Sequence, residues 1–416
     1  MYSGRYCFSL VTFTFAAAGL ACAAQPLTYS QVVERFHANN PQLLAGVVGI
    51  DESRANEVTA GLRPNPDFSF TNDQFQWFHG NPYRPLSSAE FIMSVSQLFE
   101  RRQKRRLRVQ SAEEATAMAK TDQADLERTL LFTLRGAFVS LLQAKSLLEL
   151  AQDNLAYYDK VISVNRDRFN AGDIAKIDFA RVELQRVQFE SDFENANVNL
   201  RTAKIQLLAL MDERTPIDQF DVSGEFDYKD DVLVAEELRK IALAARPDLL
   251  SASTAIEKAR VDNRLAWANG STDPTIGISY VNNGQPGGQG YNVSIPLRLF
   301  DKNQGEKERT LLEINRVERL RQNIVAGIYR DVDSARETLE SVHKLLVPYK
   351  EKYLGQSAEI REIVSFSFNH GGASLLDFLD AQKSYRDTQL AYRNLVATYL
   401  TAASQLNMAV GREVAQ

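Results

Sequence analysis

Residues 169–183 read Phe-Asn-Ala-Gly-Asp-Ile-Ala-Lys-Ile-Asp-Phe-Ala-Arg-Val-Glu, and residues 368–382 read Phe-Asn-His-Gly-Gly-Ala-Ser-Leu-Leu-Asp-Phe-Leu-Asp-Ala-Gln. Phe169 matches Phe368, Gly172 matches Gly371, Asp178 matches Asp377 and Phe179 matches Phe378, always 199 residues apart. Each copy places a glycine where a helix stops, then an acidic residue in the first turn of the next helix. Long stretches free of proline and glycine clusters flank both copies. Each copy therefore reads as the tip of a helical hairpin.

The repetition continues outward. Asn40-Pro41-Gln42-Leu43-Leu44 matches Arg246-Pro247-Asp248-Leu249-Leu250, and Ser94–Phe99 matches Ser294–Phe300 with one residue inserted. The chain divides into a first half (25–212), an irregular acidic linker (213–236) and a second half (237–416). This period is far longer than that of ordinary solenoids.

Within each half the hydrophobic period changes twice. Thr28 with Gln31 forms a capping-box pattern that opens a short helix over 28–38. Pro41 suits the first turn of a second helix, ending near Leu62 before Pro64 and Pro66. A period of two then appears at Phe68 and Phe70, with Phe75 and Trp77 continuing the aromatic bias. A Gly/Pro/Asn-rich loop over 79–87 follows, and Phe91, Met93 and Val95 resume the alternation, giving a β-hairpin over about 67–98. From Glu100 to about Phe169 the chain is proline-free, enough for a helix of roughly 100 Å. A return helix runs from Lys176 to about Asp212.

The second half predicts helices over 234–244 and 247–268 and a hairpin over about 275–299, whose fourth strand carries Tyr291, Val293, Ile295 and Leu297. A long helix is expected from Asn303 to about Phe368, kinked at Pro348, with a return helix over 374–408. The fold class is mainly α with a small β part. Such helices demand a coiled-coil or tubular architecture. Four strands cannot close a pore-sized barrel, but three chains supply twelve, so a homotrimer is expected.

The 416 residues carry a net charge of −5, which argues against a dedicated nucleic-acid binder. Residues 1–24 read as a secretory signal, with Arg5, an apolar run from Cys7 to Leu20 and small residues at Ala21, Ala23 and Ala24. Cleavage is expected near Ala24, with lipidation of Cys22 as the alternative. Cys7 and Cys22 are the only cysteines, so the mature chain has no disulfide framework and no cysteine nucleophile. No later apolar run approaches the ~20 residues of a membrane-spanning helix, which leaves a β-barrel as the route into a membrane.

The motifs Asn40-Pro41-Gln42-Leu43, Pro296-Leu297-Arg298-Leu299-Phe300-Asp301-Lys302-Asn303-Gln304-Gly305 and the two tips resemble those of the outer-membrane efflux factor (TolC-like) family along the whole mature chain. The Pro296–Gly305 run is most similar to members of heavy-metal cation efflux systems. The resemblance implies a trimeric duct in the outer membrane of a Gram-negative-type cell. A twelve-stranded barrel would continue into a periplasmic helical tunnel, which meets a periplasmic adaptor and an inner-membrane pump. Such a duct conducts passively, possesses no enzymatic activity and needs no metal or other cofactor. A type I secretion duct and a non-porous periplasmic coiled coil are the alternatives, and the Phe91/Met93/Val95 alternation argues against the latter.

The same resemblance implies site residues. Asp377 and Asp380, one helical turn apart, together with Asp178, would ring the narrow periplasmic entrance and select cations; a helix-terminus role for Asp377 beside Ser374 is the plainer reading. Arg181, equivalent to Asp380, would partly neutralise the Asp380 ring from the neighbouring hairpin. The paired ring of Asp377 and Asp178 would then carry most of the field, and loss of Asp377 would cost more selectivity than loss of Asp380. The family's polar gate retains only Asp178 here, its other positions falling on Ile177, Phe368 and Ala373. A hydrophobic constriction involving Phe368, with Ile177, is the substitute. Ala171, Gly172, Asp173, His370, Gly371 and Gly372 would meet the adaptor.

The basic run Arg101, Arg102, Lys104 and Arg105, with Arg106 and Arg108, follows a strand. It reads as outer-membrane lipid headgroup contact or inter-helix salt bridges rather than a nucleic-acid patch. His37, His79, His343 and His370 are scattered and form no metal-ligand pair, and no nucleotide-binding or Ser/His/Asp constellation occurs.

Overall fold

The computed structural model describes residues 25–73, 89–229, 234–283 and 286–415. The leader at 1–24, Phe75 and Trp77, and the 79–87 loop lie outside the described residues.

Thr28 caps α1 (Tyr29–Asn39) through the expected box with Gln31. Asn40 caps α2 (Pro41–Gly61) by accepting from the Gln42 and Leu43 N–H groups at 3.0 Å each. The chain then enters β1 (Asp67–Asp73) and β2 (Glu90–Leu98) and rises into the first long hairpin, α3 (Lys104–Ala171) and α4 (Lys176–Leu210). The second half repeats the plan with α5 (Ala235–Ala245), α6 (Pro247–Asn269), β3 (Thr275–Asn282), β4 (Gly288–Ser294), α7 (Gln304–Pro348), a π-helical turn (Tyr349–Tyr353), α8 (Leu354–Asn369) and α9 (Leu375–Val410). The 68 residues of α3 span roughly 100 Å.

The strands form one antiparallel sheet in the order β1-β2-β3-β4, so the two hairpins join through β2 and β3. Register then decides the faces, because directly paired residues point the same way. Phe68, Val95, Ile278 and Tyr291 form one cross-strand row, and Phe70, Met93 and Tyr280 form the next. All seven side chains are exposed. Ser69, Ser94, Ser279 and Gly290 form a row on the opposite face, with the Ser69 and Ser94 hydroxyls 2.7 Å apart. One face is therefore mostly oily and the other mostly small and polar, with Ile92 and Val281 the paired exceptions on it, and β1 and β4 are open edges.

The helices pack in sequence order of their hairpins. α3 lies against α2 and α6, then against α4 and α9, while α7 lies against α6 and α9 and α8 follows α9. In the hairpin region the order across the chain is α4, α3, α9, α8. Two equivalent cores hold the base: Phe36, Leu134, Phe138 and Leu207 in the first half, and Ile328, Leu339, Val396 and Leu406 in the second. A third, around Tyr158, Phe189, Phe368 and Phe378, holds the hairpins near their tips.

At four points the structure refines or corrects the expectation. α3 begins at Lys104 rather than Glu100, because Arg102 and Gln103 adopt left-handed backbone (φ 57° and 58°) to turn the chain out of the sheet; Asn303 (φ 60°) does the same before α7. β4 begins at Gly288 and ends at Ser294, so Ile295 and Leu297 lie beyond it, where Pro296 has no N–H for the ladder. The kink expected at Pro348 takes the form of the π turn, which absorbs the missing donor within a continuous helical run. Finally, α3 does contain a stretch long and apolar enough to cross a membrane, but its Leu134, Phe138, Leu141 and Leu142 are buried in the first helical core.

Candidate functional site

The two tips close by the same pair of backbone bonds. Gly172 (φ 85°) donates to Phe169 O at 3.0 Å, and the Asp173 N–H reaches Arg168 O at 2.8 Å. Gly371 (φ 79°) donates to Phe368 O at 3.2 Å, and the Gly372 N–H reaches Ser367 O at 2.8 Å. Only glycine takes this left-handed position without strain. The residues expected to contact an adaptor, Ala171, Gly172, Asp173, His370, Gly371 and Gly372, are all exposed at these ends. The His370 ring lies back on its own helix, Nδ1 2.8 Å from Phe366 O.

Below each tip two phenylalanines stack across the hairpin. Phe169 and Phe179 lie 5.3 Å apart and nearly parallel at 5°, and Phe368 and Phe378 lie 4.8 Å apart at 19°. This explains the repeated Phe pair: it zips each hairpin shut. Phe368, the gate candidate, is 7% exposed and packed against Phe378 within its own hairpin. Ile177 is exposed, as is its repeat partner Leu376.

The acidic residues separate into two kinds. Asp377 is bound into a capping box: its Oδ2 accepts from the Ser374 hydroxyl at 2.6 Å and the Ser374 N–H at 3.1 Å, and its own N–H donates to Ser374 Oγ at 3.2 Å. Those bonds to the Ser374 hydroxyl and N–H hold its carboxyl below the usual carboxylate range. Asp178 occupies the equivalent first turn of α4, but Ala175 stands where Ser374 would cap it. Asp380 is exposed one turn beyond Asp377 and lines a shallow groove between α4 and α9 with Gln185, Lys383 and Arg386. Arg181 is exposed on α4.

Contacts between the hairpins come from residues the sequence reading did not single out. The Arg168 guanidinium donates to Phe368 O at 3.0 Å and lies 5.4 Å from the centre of its ring. Deeper in, Tyr157 of α3 donates to Ser365 Oγ of α8 at 2.8 Å, and the Gln382 amide of α9 donates to both, at 3.3 and 3.2 Å. Arg361 lies between the Tyr157 and Tyr385 rings, 4.7 and 3.7 Å from their centres. The available signal was the placement of Ser365 and Gln382 on the same helical faces as Phe368 and Phe378, polar residues where a core is due.

At the other end of the helices the basic run is divided. Lys104 takes the salt-bridge option of the two readings: it is 4% exposed and donates to Asp273 at 2.5 Å and Ser271 O at 2.9 Å, bracing the sheet-to-helix junction. Arg105 reaches back to Gly61 O at 2.6 Å, and Arg108 is forked onto Glu100. Arg101 and Arg102 remain exposed. Among the described residues no three His, Cys, Asp or Glu side chains are grouped to hold a metal ion.

Comparison with known proteins agrees with this geometry. Residues 32–212 match the model of the outer membrane efflux protein family. The chain is 22% identical to the cobalt-zinc-cadmium resistance protein CzcC of Cupriavidus metallidurans over 94% of this chain and 91% of that protein. It is 23% identical to the pyoverdine export outer membrane protein OpmQ of Pseudomonas putida, over 92% of this chain and 85% of that protein. Among solved structures, CusC superposes with a TM-score of 0.77 at 16% identity, covering 92% of each chain.

Proposed function

We propose that this chain, which belongs to the outer membrane efflux protein family through its matched first half, is one third of an outer-membrane exit duct that a periplasmic adaptor couples to an inner-membrane pump. The observation that carries this reading is the sheet. Its oily face, with Phe68, Val95, Ile278 and Tyr291 all exposed, suits lipid, and its Ser/Gly face suits a wet lumen. Two unpaired edges in lipid are untenable, so other copies must pair with them. Three copies of a four-stranded sheet supply twelve strands.

The helices make the same demand. The flanking helices α4 and α8 expose Ile177, Leu184, Val198 and Ile205 on one side and Ile360, Ile363 and Phe366 on the other. The α4 residues recur at multiples of seven, the spacing of a coiled-coil seam. A neighbouring copy that sets α8 against α4 closes a ring of helices under the barrel.

Cargo is set elsewhere. CzcC and OpmQ, relatives at nearly the same distance, are named for metal resistance and siderophore export respectively. The Pro296–Gly305 run and the tip carboxylates favour cations. Outer-membrane fractions run without heating should show a band at three times the chain mass that collapses to one on boiling. A stable water-soluble monomer would overturn the reading.

A further inference from the structure

The π turn lies where the segment joining the halves crosses the second hairpin. Lys350, on that turn, donates to Asp227 Oδ2 at 2.5 Å and lies 4.7 Å from the centre of the Tyr228 ring. The other Asp227 oxygen accepts from the Tyr392 hydroxyl of α9 at 3.5 Å. Tyr228 packs edge-on against His343 of α7 and Tyr399 of α9, with ring centres 5.5 and 5.9 Å away. Two linker residues thus touch α7, the π turn and α9 at once.

The turn is the one interruption in a helical run extending from Gln304 to Asn369. Pro348 lacks the N–H that an α-helix would use, and π-helical turns occur as single-turn interruptions inside α-helices, frequently at functional sites. Beyond the turn, the 16 residues of α8 form a lever of about 25 Å. A 10° change at its root moves the Gly371 tip by about 4 Å, from the same helical rise. The Lys350 and Asp227 side chains are 42% and 37% exposed, so their contact is screened by salt and readily broken. The hydrogen bond to Asp227 holds the Lys350 ammonium above its ordinary range.

We propose that the π turn Tyr349–Tyr353 is the flexure about which the tip-bearing end of the second hairpin moves, and that Asp227 pins it through Lys350. The consequence for conduction rests on the duct reading; the flexure itself does not.

Hydrogen exchange on the full-length protein tests it. Lys350→Met and Asp227→Asn should each speed exchange of the amides at 350–356 by roughly threefold, the range of an exposed ion pair, and leave α7 amides before Pro348 unchanged. Added salt should speed the same amides in the unaltered protein but not in Lys350→Met. The exchanged pair, Asp227→Lys with Lys350→Asp, should restore slow exchange. Unaltered rates in both single variants overturn the proposal, as does acceleration spread evenly over α7 and α9, which marks general loosening. Planar-bilayer recordings separate the two readings. A duct with a released pin should show higher mean conductance, whereas an unaltered protein that carries no current defeats the duct reading while exchange still decides the flexure.

Discussion

Asn40 and Arg246 stand at equivalent positions before α2 and α6, and each reaches the end of its own half's return helix. The Asn40 amide donates to Leu210 O at 2.8 Å, and the Arg246 guanidinium donates to Ala409 O at 3.2 Å. Leu210 and Ala409 are themselves 199 residues apart. Each half therefore ties its short base helices to its long hairpin through one buried side chain placed just before a proline.

Arg246 also forks onto Asp248, at 3.0 and 2.6 Å, and reaches Asp331 at 3.2 Å. Arg246→Met should cost about 3 kcal/mol, because two carboxylates and a carbonyl lose a buried partner. Asn40→Ala should cost about 1 kcal/mol, the usual loss for a cap. Thermal unfolding of the assembled protein checks both.

The same fork sets a pH dependence. Burial alone would raise the Asp248 carboxyl, but Arg246 more than offsets it and the carboxyl lies below its ordinary 3.8. A depressed carboxylate stabilises fully above its unfolded value and loses that contribution as pH falls through the folded one. Stability should therefore fall from about pH 3.8 downward, and Asp248→Asn should flatten that part of the curve. An unchanged acid limb would show that the fork is energetically silent.

Phe378 is 1% exposed and stacked on Phe368. Phe378→Ala should cost about 3–5 kcal/mol and raise protease sensitivity at the second tip before the base unfolds. The equivalent Phe179→Ala should cost less, since Phe179 is only half-buried. Limited proteolysis with mass mapping compares the two.

A side chain at Gly172 or Gly371 meets no atom within 4 Å, so its whole penalty is the left-handed backbone. Gly172→Val with Gly371→Val should reshape both tips while leaving the cores intact, and should weaken capture of a periplasmic adaptor. Adaptor pull-down at normal strength, with trimers intact, would remove the tips from the docking surface.

Asp377→Asn with Asp380→Asn should lower cation selectivity and abolish block by trivalent cations in single-channel recordings. Asp380→Asn alone should now cost more than Asp377→Asn alone, reversing the order of the paired-ring reading from sequence. Ser374 already occupies one Asp377 oxygen, whereas Asp380 has no ion-pair partner among the described residues. Unchanged selectivity in the double variant would reduce both to helix-terminus residues.

What the sequence alone determined is what depends on near neighbours. Gly172 and Gly371 stop helices, Thr28 and Ser374 cap them, and alternation at Phe91, Met93 and Val95 fixes which residues of a strand share a face. These are matters of dihedral preference and periodicity, legible within about ten residues. Tertiary structure decided which face meets what. Phe368 stands in the same repeat as exposed residues, yet it stacks on Phe378 and receives Arg168 from 200 positions away. Lys104 sits in a run of exposed cations, yet Asp273, 169 residues on, draws it inside. Pro348 signals a fault in a helix, but that the fault is a π turn, with Lys350 on it bonded to Asp227 of the linker, appears only in the folded chain. Periodicity shows that a residue lies on a face, but the partner covering that face comes from elsewhere in the chain, and burial and charge are properties of the pair.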